Sequence, residues 1–184
     1  MKNKLRHYIE ILYNEYDCIG FHAPRNTGKT ISFAKSIIND LVEEKKDAYV
    51  ITNSKKYLKE FLLIFSRLIK EKHMKYYSES YFDFYNDSRI YFRSISDFKT
   101  GKDIKSDIFY FDTVYSTIDV TILYYLNLDA KFIFNDCPFN ENLIGTLSKI
   151  KKNNTNVIIN DINDISILLR WKKIQKIRNQ LSSF

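Results

Sequence analysis

One stretch of the chain, Ala23-Pro24-Arg25-Asn26-Thr27-Gly28-Lys29-Thr30, carries residue types at a spacing suited to holding phosphate. Apart from its first position it fits the pattern G-x-x-x-x-G-K-[ST]. Gly28 lets the backbone bend so that successive N–H groups face one anion. The Lys29 ammonium supplies a point charge to the β- and γ-phosphates of a nucleotide, and the Thr30 hydroxyl is a ligand for Mg²⁺. Ala23 stands where a glycine is usual and is small enough to be tolerated there. ATP and Mg²⁺ are the ligands this segment implies, with all eight residues from Ala23 to Thr30 expected at the nucleotide.

That chemistry needs an acid at the end of a later apolar strand, to hold the metal shell. Ile108-Phe-Tyr-Phe-Asp112 fits, and makes Asp112 the second metal residue beside Thr30. In ATPases that insert a strand between these two elements, the next residue is a glutamate that orients the attacking water. Here it is Thr113, which cannot accept a proton at neutral pH. Asp119, Asp136 and Glu141 are carboxylates that could substitute, although strand-ending or helix-capping roles explain each of them as well. The inserted strand would be Lys131-Phe-Ile-Phe, with Asn135 and Asp136 at its end. That end is the place of a γ-phosphate sensor, and a plain strand-to-loop cap is an equal alternative.

The elements that must position these groups follow from the apolar periodicity. Strands are expected at Asp17–Ala23, Ala48–Thr52, Asp107–Phe111, Lys131–Phe134 and Thr155–Ile159. Helices are expected at Thr30–Glu44, with Ala34, Ile37, Ile38, Leu41 and Val42 inward, and after a Ser54 cap, with Tyr57, Phe61, Ile64, Phe65 and Leu68 as the stripe. Further helices are expected at Tyr115–Leu128, at Asn140–Lys151 and from about residue 165 to 182. Two alternating runs, YFDFY and RIYFRS, flank Asn86-Asp87-Ser88 and predict a β-hairpin on the flank of the domain. Alternation of strand and helix predicts an α/β three-layer sandwich with a mainly parallel central sheet. One domain spans 1–184, with its core at about 16–161.

Composition narrows the classes further. The chain has 184 residues, 45% hydrophobic and 28% charged, with only 4 Gly and 2 Pro. Those proportions exclude a disordered tail and a loop-rich or collagenous chain. No stretch reaches the roughly 18 apolar residues of a membrane-spanning helix, and Met1 to Tyr8 lacks a signal-peptide core, so a soluble intracellular protein is expected. Cys18 and Cys137 form no framework, and buried thiols are expected. His7, His22 and His73 show no ligand spacing, and His22 is expected to pack beside the loop. The 29 Lys+Arg against 22 Asp+Glu give a net charge of +7, which favours polyanion partners. Lys149, Lys151 and Lys152, with Lys172, Lys173, Lys176 and Arg178, are candidates for DNA contact, and an ordinary solvated helix face explains them equally. Tyrosines 76, 77, 81, 85, 91 and 110 could stack on bases, but strand and core roles account for most of them. Trp171 is expected in the core.

The pattern resembles the ATPase domain of viral terminase large subunits, the motors that package DNA into capsids. The loop APRNTGKT places Arg25 where that family commonly has an arginine; the strand and helix AYVITNSKKYLKEF follow. NDSRIYFRS and Gly101 lead into DIFYFD, and FIFNDCPFNEN resembles the coupling motif after the acid strand. The likeness covers roughly Tyr16 to Asp161. It implies the additional-strand class of P-loop ATPase, with Lys29, Asp112 and Arg25 as catalytic residues. It also implies double-stranded DNA as a partner bound without sequence specificity, assembly into a ring or with other packaging proteins, and a location in the host cytoplasm. Three features depart from the family: Thr113 for the catalytic glutamate, Asn135-Asp136 for the coupling threonines, and a length that leaves no place for a nuclease half, so DNA cleavage is not expected. The alternatives are a nucleotide-binding assembly module that has lost hydrolysis, and the first lobe of a superfamily 2 helicase.

Overall fold

A computed structural model of the chain describes residues 2–24, 27–95, 104–112, 126–127, 129–137, 145–146 and 156–159. The elements are α1 (Lys2–Glu15), β1 (Cys18–Phe21), α2 (Lys29–Glu43), β2 (Asp47–Thr52), α3 (Lys55–Leu68), a 3-10 turn (Glu71–His73), β3 (Met74–Tyr77), β4 (Tyr81–Phe84), β5 (Arg89–Ser94), β6 (Ile108–Asp112), β7 (Lys131–Asn135) and β8 (Asn156–Ile159). All eight strands form one sheet in the order β3-β4-β5-β2-β6-β7-β1-β8. From β5 to β8 every pairing is parallel. β7 therefore lies between β1, which leads into the phosphate loop, and β6, which carries the acid. This is the additional-strand arrangement of a P-loop fold.

β1 and β6 are buried along their whole length and β7 along all but its first residue, and their alternate residues feed two cores. Ile108, Tyr110 and Ile133 join the larger cluster, to which α1, α2 and α3 contribute. Phe109, Phe111, Phe132 and Phe134 enter a second cluster on the opposite face, with Cys18, Leu126 and Cys137. The pairs Phe109–Phe132 and Phe111–Phe134 stack at 5.3 and 5.0 Å between ring centroids. A strand apolar on both faces is what a parallel sheet covered on each side requires. Both cysteines are buried and free, as expected.

The expected hairpin stands on the flank of the domain: β4 and β5 pair antiparallel, β3 adds to β4, and β5 joins β2 in parallel, so the tyrosine-rich segment extends the main sheet at its edge. Asp87 makes its turn at φ 64°. The N-terminal segment, assigned no element from sequence, is α1, which buries Leu5, Ile9, Leu12 and Tyr13 in the larger core. Ser54 does occupy the N-cap position of α3, in extended backbone, and its carbonyl accepts from Leu58 N and the Thr52 hydroxyl, but its side chain makes no capping hydrogen bond. The buried stripe of α3 is Leu58, Phe61 and Phe65; Tyr57 turns outward. Phe33, one turn into α2, is fully buried against Phe21 and Tyr110. Leu126 forms a parallel bridge with Ile104, so a helix does not continue through Leu128 as expected. The rest of that helix, most of the one at Asn140–Lys151 (where Gly145 and Thr146 are helical), and the C-terminal helix with Trp171 lie outside the described residues. Among the described residues no helix is long and apolar enough to cross a membrane.

Candidate nucleotide site

Register sets up the site. Phe21 of β1, Asn135 of β7, Asp112 of β6 and Thr52 of β2 are consecutive Cα partners across the sheet, each ending its strand. Four carboxyl ends are thus flush, and side chains there share one edge, where open α/β sheets place their ligands. Asn135, Asp112 and Thr52 are all buried, so polar groups stand at an edge whose strands are otherwise almost wholly apolar.

The loop leaves β1 at Phe21 and returns at Gly28, whose φ of 87° is in the left-handed region. A side chain at 28 would meet no atom within 4 Å, so conformation and not space calls for glycine. Gly28 caps α2, and its carbonyl accepts both Ser32 N and the Ser32 hydroxyl at 3.0 Å. Lys29 and Thr30 then open the first turn of α2, where the positive end of the helix dipole favours an anion.

Two small constellations result. In the first, Thr30 Oγ1 donates to Asp112 Oδ2 at 3.2 Å. Asn135 Nδ2 donates to the same oxygen at 2.5 Å, and it lies 3.1 Å from the Tyr110 hydroxyl oxygen. The Tyr110 hydroxyl also donates to Asp112 Oδ2. Burial, and secondly the Asp112 charge, push the Tyr110 phenol well above its ordinary range, so it remains a donor. In the second, Lys29 Nζ contacts Ala23 O at 2.6 Å, Pro24 O at 3.2 Å and Asp136 Oδ2 at 2.5 Å. Asp136 sits at φ 53° just past β7, and its other oxygen is 3.4 Å from Ala23 N and 3.3 Å from His22 Nδ1.

These residues suit a hard cation. Thr30 and Asp112 offer oxygens beside one another, and Asn135 Oδ1 is buried without a hydrogen-bond partner among the described residues. Mg²⁺ characteristically takes only one or two protein oxygens and fills the rest of its shell with water and phosphate.

Of the residues singled out from sequence, Lys29, Thr30, Asp112, Asn135 and Asp136 come together here; Ala23, Pro24, Thr27 and Gly28 form the described part of the loop. Arg25, Asn26, Thr113, Asp119, Glu141, Lys149, Lys151, Lys152, Lys172, Lys173, Lys176 and Arg178 lie outside the described residues. His22 does not pack: its side chain is 63% exposed and turned to Asp136. Tyr110, grouped with tyrosines explained by stacking, strand or core roles, is buried in the core and is an inner member of the acid site. Its signal was its place two residues before Asp112, on the same side of the strand. Tyr76, Tyr77 and Tyr85 are exposed, whereas Tyr81 and Tyr91 meet at a tilt of 42° and both lie under the Arg89 guanidinium.

Strand order, loop and acid together define a P-loop nucleoside-triphosphatase fold of the additional-strand class. Within that class, the solved structures most like this chain include the large terminase of a thermophilic bacteriophage. One crystal form matches with a TM-score of 0.60 at 15% identity, covering 84% of this chain and 45% of that one. Its complex with ATP-gamma-S gives a TM-score of 0.61 at 15% identity, over 85% and 44% of the two chains. Its complex with ADP gives 0.57 at 14% identity, over 85% and 44%. The terminase resemblance drawn from sequence is thus present in the fold, and this chain spans just under half the length of those structures. No protein-family model and no curated protein matches the sequence.

Proposed function

We propose that the chain is an ATP-binding and ATP-hydrolysing motor domain of the kind found in terminase large subunits, acting on double-stranded DNA during viral genome packaging. The observation that carries this reading is the contact of Thr30, which follows Lys29 in the first turn of α2, with Asp112 and with Asn135 of the inserted strand. The phosphate loop and the first turn of α2 would take the nucleotide phosphates, with Lys29 neutralising the β- and γ-oxygens and Arg25 acting on the γ-phosphate. Thr30 and Asp112 would hold Mg²⁺, which supplies charge stabilisation between those phosphates. Asn135 and Tyr110 fix Asp112 by donating to its oxygen, so the carboxylate is oriented before any ligand arrives. Movement along DNA would require neighbouring subunits in a ring, because one such domain has no second surface to work against. The basic residues from Lys149 to Lys176 would contact DNA phosphates without reading sequence.

The test is MgATP binding and turnover by the full chain, with and without double-stranded DNA. Lys29→Ala should abolish binding, and tight binding that survives it would sink the phosphate-loop assignment. Retention on DNA should weaken steeply as salt rises; no retention at low salt would remove the DNA track. Thr113 favours a second reading, a nucleotide-binding assembly module without turnover, since a threonine is no base at neutral pH.

A further inference from the structure

Asp136 is an unusual neighbour for a phosphate-loop lysine. An ammonium has three protons to donate, and Lys29 Nζ has three partners: the carbonyls of Ala23 and Pro24 and the carboxylate of Asp136 at 2.5 Å. Lys29 is only 6% exposed, so the charge is balanced inside the protein and not by solvent. Asp136 is held for this purpose from several sides. Its backbone N–H donates to Phe21 O at 2.8 Å, tying the end of β7 to the end of β1. Its φ of 53° turns the side chain back over the loop, a conformation that aspartate accepts more readily than most residues. Its second oxygen faces Ala23 N and His22 Nδ1. The loop is thereby closed on its own lysine by an internal anion.

We propose that Asp136 is a latch, a positioning residue that parks Lys29 against the loop until nucleotide phosphate displaces it. This rests on the phosphate-loop reading above and adds a regulation of that site. An incoming β-phosphate offers the ammonium a second anion in place of the first, so binding is an exchange of partners. Affinity is lowered by the fraction of molecules in which Lys29 is free. Release of Lys29 also frees the Asp136 carboxylate, which directly follows β7, so the end of the inserted strand registers whether the loop is filled.

The test measures the affinity of the full chain for MgATP and MgADP by calorimetry, in wild type, Asp136→Asn and Asp136→Gly. Both replacements accept the left-handed backbone, so if one variant folds poorly the other carries the result. Removing the latch should tighten both nucleotides by about tenfold, because Lys29 is freed for either one. Unchanged or weakened affinity in a folded variant overturns the latch. Tightening confined to MgATP also overturns it, since that pattern means simple repulsion between Asp136 and the γ-phosphate. A second readout is the stability of Lys29→Met, Asp136→Asn and the double variant. The two changes should be strongly non-additive, and additive losses would overturn the pairing. If neither wild type nor variants bind nucleotide, the phosphate-loop reading itself fails; wild-type binding without gain in the variants removes only the latch.

Discussion

Asn135 Nδ2 lies 2.5 Å from Asp112 Oδ2, and the two residues are direct partners at the ends of neighbouring parallel strands. The amide orientation follows from its surroundings. Nδ2 faces acceptors on Asp112, Thr30 and Tyr110, whereas the opposite flip would set a carbonyl oxygen against a carboxylate. Oδ1 is therefore directed away from Asp112 and Thr30, and it is buried without a hydrogen-bond partner among the described residues.

Replacing Asn135 by Ala removes this donor and leaves the buried carboxylate under-satisfied. A loss of about 1–3 kcal/mol in folding stability is expected from chemical denaturation. The dependence of nucleotide affinity on Mg²⁺ should weaken in the same variant. Unchanged stability would show that the contact is not made in solution.

Asp112→Asn keeps the size of the side chain but removes its charge. Wild type should bind ATP more tightly with Mg²⁺ than with EDTA, and the variant should show little difference between the two. A full Mg²⁺ effect in Asp112→Asn would place the metal elsewhere.

Thr113 follows Asp112 directly, so Thr113→Glu adds a carboxylate where the terminase resemblance implies a catalytic base. ATP turnover should rise by about tenfold or more over a slow wild type if a general base is what is missing. Rapid wild-type turnover, undiminished in Thr113→Ala, would show that another residue orients the water.

Tyr13 is buried, and its hydroxyl donates to Asp40 Oδ2 at 3.0 Å. Burial, and then the Asp40 charge, raise its phenol well above the ordinary value. Above a pH of about 10 the unfolded chain loses this proton while the folded chain keeps it, so the folded state binds more protons and stability falls as pH rises. Below that pH the contribution is fully present. Tyr13→Phe should flatten the alkaline fall in denaturation midpoint without changing its slope near neutrality.

Phe33 packs edge-on against Phe21 at 5.6 Å, directly beneath the start of the loop, and also meets Tyr110. Phe33→Ala should cost about 3–5 kcal/mol by denaturation. Because Phe21 precedes the loop and Tyr110 holds Asp112, nucleotide affinity should fall with it.

Much of the site was legible in the sequence because its chemistry is local. The loop from Ala23 to Thr30 is contiguous, and glycine followed by lysine and threonine is dictated by backbone bending and charge. Apolar runs ending in Asp112 and Asn135 announced two buried strands for the same reason: a strand covered on both faces has no polar alternation. Length, composition and helical spacing likewise determined an α/β domain. Other features were beyond a one-dimensional reading. Whether a 20-residue tyrosine-rich segment hangs from the domain or extends its sheet depends on β5 meeting β2, a pairing between distant segments. The inward turn of Phe33 and the outward turn of Tyr57 depend on which neighbours α2 and α3 face. Sequence offered Asp136 as a phosphate sensor, a cap or a substitute carboxylate, but its pairing with Lys29, 107 positions earlier in the chain, depends on the left-handed backbone after β7. The sequence by itself determined which groups could bind phosphate and metal, since those abilities belong to side-chain types and short spacings. Only the tertiary structure decided which groups hold one another before a ligand arrives, because that depends on strand order and register across the sheet.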